Sequence, residues 1–260
     1  MTDSPPELSS LNRIRVVLVE TSHPGNIGAV ARAMKNMGLS DLALVAPRAF
    51  PHAEATARAS GADDLLARAW VMPSLDAAIA DCSLVVGASA RSRTIPWPLM
   101  LPRDCARRMQ AEAAGGAKVA LVMGREKSGL SNAELERCQV HVHIPANPDY
   151  PSLNLAAAVQ VLAYELRMAA LEAGSALPAG KVLERDQPLA TAAEREGLYA
   201  HFERALAALD FYDPDNPRQL MRRLRRLFNR AELDRMEVNI LRGILAAAEK
   251  AARAEGRPAT

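Results

Sequence analysis

Between residues 13 and 172, short β-branched runs alternate with stretches of helical period. This alternation admits few folds: parallel strands can be joined only by long crossover connections, and helices fill them. The runs read as strands over Ile14 to Val19, Leu42 to Ala46, Ser83 to Gly87, Val119 to Met123 and Val140 to Ile144. Helical patterns fall between them at Asn26 to Met37, His52 to Ala59, Leu75 to Ala80, Pro102 to Ala113 and Ser152 to Leu171. Ser131 and Glu134 have the spacing of a capping box, so a short helix is expected after Ser131. Ser152 reads as the cap of the long final helix.

From Ala173 to Leu189 the composition shifts to Gly, Ala, Ser and Pro without a clear period, which marks a linker over 173–190. Residues 191–260 then carry helical patterns alone, at Glu194 to Leu209, Pro217 to Arg230 and Asp234 to Lys250. Residues 1–12 are expected to be disordered or extended. The expected organisation is an α/β domain with a parallel sheet over 13–172, followed by a small all-α domain over 191–260. A chain of 260 residues, 49% hydrophobic and 24% charged, can build both, and its composition excludes collagen-like, disordered and coiled-coil classes.

Met1 to Ser10 is polar around Pro5-Pro6, and no later run is long and apolar enough to span a bilayer, so a cytoplasmic protein without a membrane partner is expected. Cys82, Cys105 and Cys138 form no Cys-x-x-Cys and read as inert thiols in a reducing compartment. His141 and His143 share a strand face without a third ligand, so no metal is expected. The net charge of +2 is too small to argue for nucleic acid. Its distribution says more. Six arginines and no acid lie between Arg218 and Arg230, with Leu220, Leu224, Leu227 and Phe228 on the opposite side of a helix. That cationic face is either an RNA surface or the solvated side of a bundle.

Three segments follow strand-like runs: Pro24-Gly25-Asn26-Ile27-Gly28 through Arg32, Gly124-Arg125-Glu126-Lys127-Ser128-Gly129-Leu130, and Pro148-Asp149-Tyr150-Pro151-Ser152-Leu153-Asn154-Leu155. Loops at the carboxyl ends of parallel strands are where open α/β sheets hold ligands, so a binding site is expected there. A nicotinamide dinucleotide fits poorly. The glycine spacing around Gly25 and Gly28 is wrong, and the second strand ends Leu44-Val45-Ala46-Pro47 without the acid that would hold a ribose. No Walker-type phosphate loop is present.

Asn26 with Arg32 on the first helix, then Gly-x-Glu-x-x-Gly-Leu at Gly124 to Leu130, then Ser152-Leu153-Asn154-Leu155, resemble in order the three motifs of the SpoU-type branch of the SPOUT superfamily, the RNA ribose 2′-O-methyltransferases. Val19 to Asn26, Gly87 to Arg93 and Asn239 to Leu245 narrow the resemblance to bacterial tRNA-modifying members that act on the ribose of cytidine or uridine at anticodon-loop nucleotide 32. The resemblance implies a parallel-sheet methyltransferase domain with a C-terminal trefoil knot, a fold that pattern reading alone would not propose because chain connections are normally unknotted. It further implies a homodimer, a helical domain that binds tRNA, and S-adenosylmethionine as cofactor with S-adenosylhomocysteine as product.

Carried onto this sequence, the likeness places cofactor contacts at Ala88, Ser89, Ala90, Gly124, Ile144, Pro151, Ser152 and Leu153. Arg32 is the implied catalytic residue, with Asn26 and Glu126 expected to hold it or its counterpart from a second subunit. A guanidinium stays charged in proteins, which suits Arg32 to clamping a phosphate and steadying the sugar oxygen rather than to taking its proton. Seen alone, Asn26 and Glu126 also read as a helix cap and a surface carboxylate. Arg91, Arg93 and Arg125 beside the site, with Arg222, Arg223 and Arg226 on the cationic helix, are the expected RNA contacts. Trp97 and Tyr150 are the nearest aromatics, and each reads either as packing or as a contact to substrate or cofactor. A catalytically silent RNA-binding dimer is the alternative, against which the intact motif residues argue.

Overall fold

The computed structural model describes residues 6–89, 99–174 and 187–254, and the chain divides into two compact units, Met1–Glu184 and Arg185–Thr260. In the first unit the elements run β1 (Ile14–Val19), α1 (Pro24–Met37), β2 (Asp41–Val45), α2 (Ala53–Ala59), α3 (Asp63–Ala67), β3 (Trp70–Met72) and α4 (Leu75–Ile79). They continue with β4 (Leu84–Ala88), β5 (Leu99–Met100), α5 (Pro102–Ala114), β6 (Val119–Met123), α6 (Asn132–Leu135), β7 (Val140–Val142) and α7 (Leu155–Gly174). The seven strands form one sheet in the order β3-β2-β1-β6-β4-β7-β5, every pair parallel.

β1 and β6 are buried at every position, as strands covered on both sides must be. Val16 and Leu18 of β1 and Leu121 of β6 pack with Ile27 and Met34 of α1 and with Leu162 and Leu166 of α7 in one core. Each such side chain taken fully out of water contributes roughly 1.5–3 kcal/mol. This strand order has a functional consequence. The segments after β1, β4, β6 and β7 all leave the same edge of the sheet, where the three sequence motifs lie.

Gly28 shows why the first motif resembles a dinucleotide loop without being one. A Cβ there would lie 2.0 Å from the Ala55 carbonyl oxygen, so glycine is what lets α1 touch α2 backbone to backbone. The helix ends at Gly38, whose φ of 84° is the left-handed conformation that favours glycine.

Several expectations need correcting. Residues 6–13 form a 3-10 helix rather than an extended lead, because Leu11 is buried in the core and Ser10 bonds to Gln110. The strands at Trp70 and Leu99 went unread: they are two or three residues long at the sheet's edges, too short for a period to show. The final helix starts at Leu155, and its cap is Asn154 instead of Ser152. The Asn154 Oδ1 accepts from the N–H groups of Ala156 and Ala157. The capping box of Ser131 and Glu134 is formed. Ala90, Arg91, Arg93 and Trp97, and most of the 173–190 segment, lie outside the described residues. Among the described residues no helix is long and apolar enough to cross a membrane.

The second unit contains α8 (Ala192–Ala208), α9 (Leu220–Ala231) and α10 (Arg235–Ala254) around Leu198, Ala205, Val238 and Leu245, with Phe202 stacked on Phe228 at 5.2 Å. The inward side of α9 differs from the expected apolar stripe. Leu227 is exposed, while Arg225 and Asn229 turn inward to Tyr199. Arg225 lies 4.4 Å over the Tyr199 ring and pairs with Glu196, and the Tyr199 hydroxyl donates to Asn229 Oδ1 at 2.9 Å. Burial pushes the Tyr199 phenol up to about 12, against the pull of Arg195 and Arg225. The polar end of a buried tyrosine has thus fixed the rotation of the helix.

Candidate functional site

A cavity of about 230 Å³ opens at the carboxyl edge of the sheet. Its wall is built from the end of β4, the whole 124–130 turn after β6, the end of β7 and the 151–155 entry to α7. Ala88, Ser89, Gly124, Ile144, Pro151, Ser152 and Leu153 all lie on it. Lys127, Ser128 and Leu130 also line it, and sequence reading did not single them out. Their signal was their position inside the second motif.

The 124–130 turn is tight because Gly124 has no side chain. A Cβ there would stand 2.1 Å from the Gly129 carbonyl carbon, and Gly129 itself sits at φ 66°. The Arg125 N–H donates to the Gly129 carbonyl at 3.2 Å, and the Gly129 N–H donates back to the Arg125 carbonyl at 2.9 Å. These two bonds close the turn on itself.

Asn26 joins the three motifs. Its Nδ2 donates to Glu126 Oε1 at 3.0 Å, and its Oδ1 accepts from Asn154 Nδ2 at 3.1 Å. The Glu126 carboxylate also accepts from the backbone N–H of Ser22 at 3.1 Å, the Ser22 hydroxyl at 2.9 Å and the N–H of His23 at 3.1 Å. Burial pushes the Glu126 carboxyl up, but the Asn26 amide and the N–H groups of Ser22, Glu126 and His23 outweigh it and hold the group at about 2. An anion at the start of α1 is also favoured by the helix dipole. His23, the residue before α1, makes no side-chain cap, and its own N–H donates to Glu126.

In this network Asn26 joins Glu126 to Asn154. Arg32 is exposed on α1, away from the cavity wall, and pairs with none of the described residues. Arg125 lies on the cavity wall with its guanidinium between the carboxylates of Glu20 and Glu134. Tyr150 is exposed and off the wall. In the second unit Arg223 and Arg230 are exposed, and Arg222 and Arg226 are half-buried.

His141 and His143 make backbone hydrogen bonds, to the carbonyls of Leu135 and Ser89. Among the described residues no cluster of His, Cys, Asp and Glu is arranged to hold a metal. The three cysteines are buried, and burial pushes the thiols of Cys82 and Cys105 up to about 12.

Comparison with known proteins converges on one group. The SpoU rRNA Methylase family matches residues 13–164, and the C-terminal domain of tRNA methyltransferase TrmJ matches residues 193–257. The chain is 56% identical over 247 residues to the tRNA (cytidine/uridine/adenosine-2′-O-)-methyltransferase TrmJ of Pseudomonas aeruginosa (strain UCBPP-PA14), covering 94% of this chain and 96% of that one. It is 54% identical over 241 residues to the tRNA (cytidine/uridine-2′-O-)-methyltransferase TrmJ of Klebsiella pneumoniae, covering 92% of this chain and 98% of that one. Among solved structures, TrmJ from Z. mobilis ZM4 superposes with a TM-score of 0.78 at 33% identity, over 90% of this chain and 98% of its own.

Proposed function

Because the chain belongs to the SpoU methylase family and, within it, to the TrmJ tRNA 2′-O-methyltransferases, we propose that it methylates the ribose of nucleotide 32 in the tRNA anticodon loop, at cytidine or uridine, with S-adenosylmethionine as donor. The observation that carries this reading is the cavity wall, made by the second and third motifs and tied to the first through Asn26. The residues present suit the donor. Ile144, Leu130 and Leu153 offer apolar surface to a flat adenine, small Ala88 and Ser89 leave room beside it, and the hydroxyls of Ser89 and Ser152 supply polar anchors. When bound, S-adenosylmethionine supplies a methyl group on a positive sulfur that departs as the neutral thioether of S-adenosylhomocysteine.

The protein's own work is positioning. The Glu126 network fixes the cavity rim, and Arg32 holds an RNA phosphate and steadies negative charge on the 2′-oxygen while its proton passes to a phosphate or to water. Arg32 is off the wall of its own cavity, so this role requires a second copy. Support for a homodimer comes from α7, which packs beside α1 and leaves Val161, Tyr164 and Leu171 exposed along one side. An apolar helix face beside the helix of Arg32 suits pairing that carries Arg32 to the neighbouring cavity. The knotted passage of the chain end is supported by the strand order, in which β6 inserts between β1 and β4.

Arg222, Arg223 and Arg226, with Arg91 and Arg93, are assigned to tRNA phosphates, and the reaction to the cytoplasm, where tRNA is matured. A broader range of bases, including adenosine, is favoured by the name of the Pseudomonas relative. Ribose-methylation mapping of tRNA from cells lacking the chain tests position and base together: the mark at nucleotide 32 disappears, and its persistence overturns the assignment. Arg32→Ala is expected to lower turnover at least about 100-fold with S-adenosylmethionine affinity by calorimetry unchanged. Loss of donor binding with normal turnover at saturation would refute this role.

A further inference from the structure

Arg125 is the residue whose surroundings depart furthest from its expected role. Its Nε donates to Glu20 Oε2 at 2.9 Å and its Nη2 to Glu20 Oε1 at 2.6 Å. On the other side, Nη1 donates to Glu134 Oε2 and Nη2 to Glu134 Oε1, both at 2.9 Å. Nη1 also reaches the Gly129 carbonyl at 3.5 Å. All three guanidinium nitrogens therefore already have acceptors within the chain. Two carboxylates around one guanidinium leave the cluster with a formal charge of −1, and a phosphate approaching it would be repelled.

Each partner is itself held. Glu134 Oε2 accepts the Ser131 N–H of the capping box at 2.7 Å, which fixes the start of α6 just past the 124–130 turn. Glu20, directly after β1, has φ 47°, a conformation a non-glycine residue adopts only when its surroundings impose it. Two residues further on, Ser22 and His23 receive Glu126. Consecutive side chains of the turn, Arg125 and Glu126, thus grip neighbouring parts of the 20–23 segment. Between them they set the angle at which Gly124 to Leu130 faces the cavity.

We propose that Arg125, clasped by Glu20 and Glu134, is a positioning residue that holds the 124–130 wall in place for the methyl donor and makes no contact with tRNA. The proposal rests on the methyltransferase reading of the same cavity. Arginine suits the position because one planar fork can meet two carboxylates in its own plane, which a lysine ammonium cannot do.

The test measures three quantities on the full-length chain: S-adenosylmethionine affinity by calorimetry, the Michaelis constant for tRNA, and the slope of log tRNA affinity against log salt. Arg125→Ala is expected to weaken donor binding by about tenfold or more and to leave both tRNA quantities at their wild-type values. Arg125→Lys recovers only a small part of the donor affinity. Glu20→Gln, at a side chain 52% exposed and so mild for folding, weakens donor binding a few-fold. Combined with Arg125→Ala it adds nothing further, as expected for two residues in one cluster.

A phosphate contact would behave oppositely, lowering the salt slope by about one and leaving donor affinity intact. That outcome, or normal donor binding by both Arg125→Ala and Glu20→Gln, overturns the proposal. A wild-type chain that binds tRNA but no S-adenosylmethionine overturns the functional reading and this inference together. Wild-type binding matched by the variants overturns the inference alone.

Discussion

The two ends of the central strands carry polar networks of opposite character. At the amino ends, Arg15 at the start of β1 is 8% exposed and donates from Nε to Asp41 at 3.0 Å, and from Nη1 to Asp81 at 2.8 Å and to the Ala78 carbonyl at 2.8 Å. Lys118 adds a bond to Asp81 at 2.7 Å just before β6. At the carboxyl ends, Glu126, Asn26 and Asn154 tie three loops together around a cavity. The first network fastens strand starts. The second orders the segments that wall the cavity. The same sheet thus anchors itself at one edge and presents loops at the other, and mutations at the two edges should separate stability from activity.

The largest expected effect on stability is at the anchored edge. Arg15→Ala leaves the mostly buried Asp41 without its cation, while the half-exposed Asp81 keeps Lys118, so the cost is about 3 kcal/mol, the low end for breaking a buried ion pair. Urea unfolding reads that loss, while turnover per folded molecule stays at the wild-type level. Glu126→Ala should lower turnover about 100-fold, equivalent to about 2.7 kcal/mol on the barrier, in addition to the stability lost with its hydrogen bonds. If the two variants lost stability and turnover in equal proportion, the division of labour between the edges would be wrong.

Acid offers a smaller and more graded test, because each edge carries one carboxyl depressed to about 2. For Asp81, burial pushes upward, and Lys118 and Arg15 more than compensate. For Glu126, burial is outweighed by the Asn26 amide and backbone N–H groups. A carboxyl whose folded value lies below its unfolded one stabilises fully above the unfolded value, and that stability is lost as pH falls through the folded value. Stability should therefore decline between about pH 4.5 and pH 2. Asp81→Asn and Glu126→Ala should each reduce the steepness of that decline, as read by unfolding free energy against pH. A decline of wild-type steepness in both variants would rule these groups out as its source.

How much of this was legible in the sequence differs between the edges too. The four strands of five or six residues, the short β7 and the motif loops announced themselves through β-branched runs and glycine spacing, and Ser131 with Glu134 named its own helix start. Pairings across 66 to 128 positions, such as Arg15 with Asp81 or Asn26 with Asn154, left no local trace. Arg125 was read as an RNA contact because a basic residue in a motif loop looks available until Glu20, 105 positions away, is seen to hold it. The cap at Asn154 was missed for a different reason. Ser152 and Asn154 are equally good helix starters, and only the course of the chain chooses between them. On α9 the arginine count was legible, but the inward turn of Arg225 was set by Tyr199 on another helix.

The smallest effect tests whether exposure, rather than mere pairing, ranks the members of the anchored edge. Lys118 and Asp81 are 51% and 45% exposed at the side chain, against 9% for Arg15. Water screens such a pair, so Lys118→Ala should cost less than about 1 kcal/mol, although its bond to Asp81 is as short as that of Arg15. The loss should shrink further in 1 M salt, because salt screens a solvent-exposed ion pair. Asp81 would keep Arg15 but lose the hydrogen bond from Lys118, so its carboxyl should move back toward 3.8, and the acid-dependent loss of stability should become smaller and end at higher pH. A cost equal to that of Arg15→Ala would mean that the number of bonds to Asp81, and not the burial of the cation making them, secures this end of the sheet.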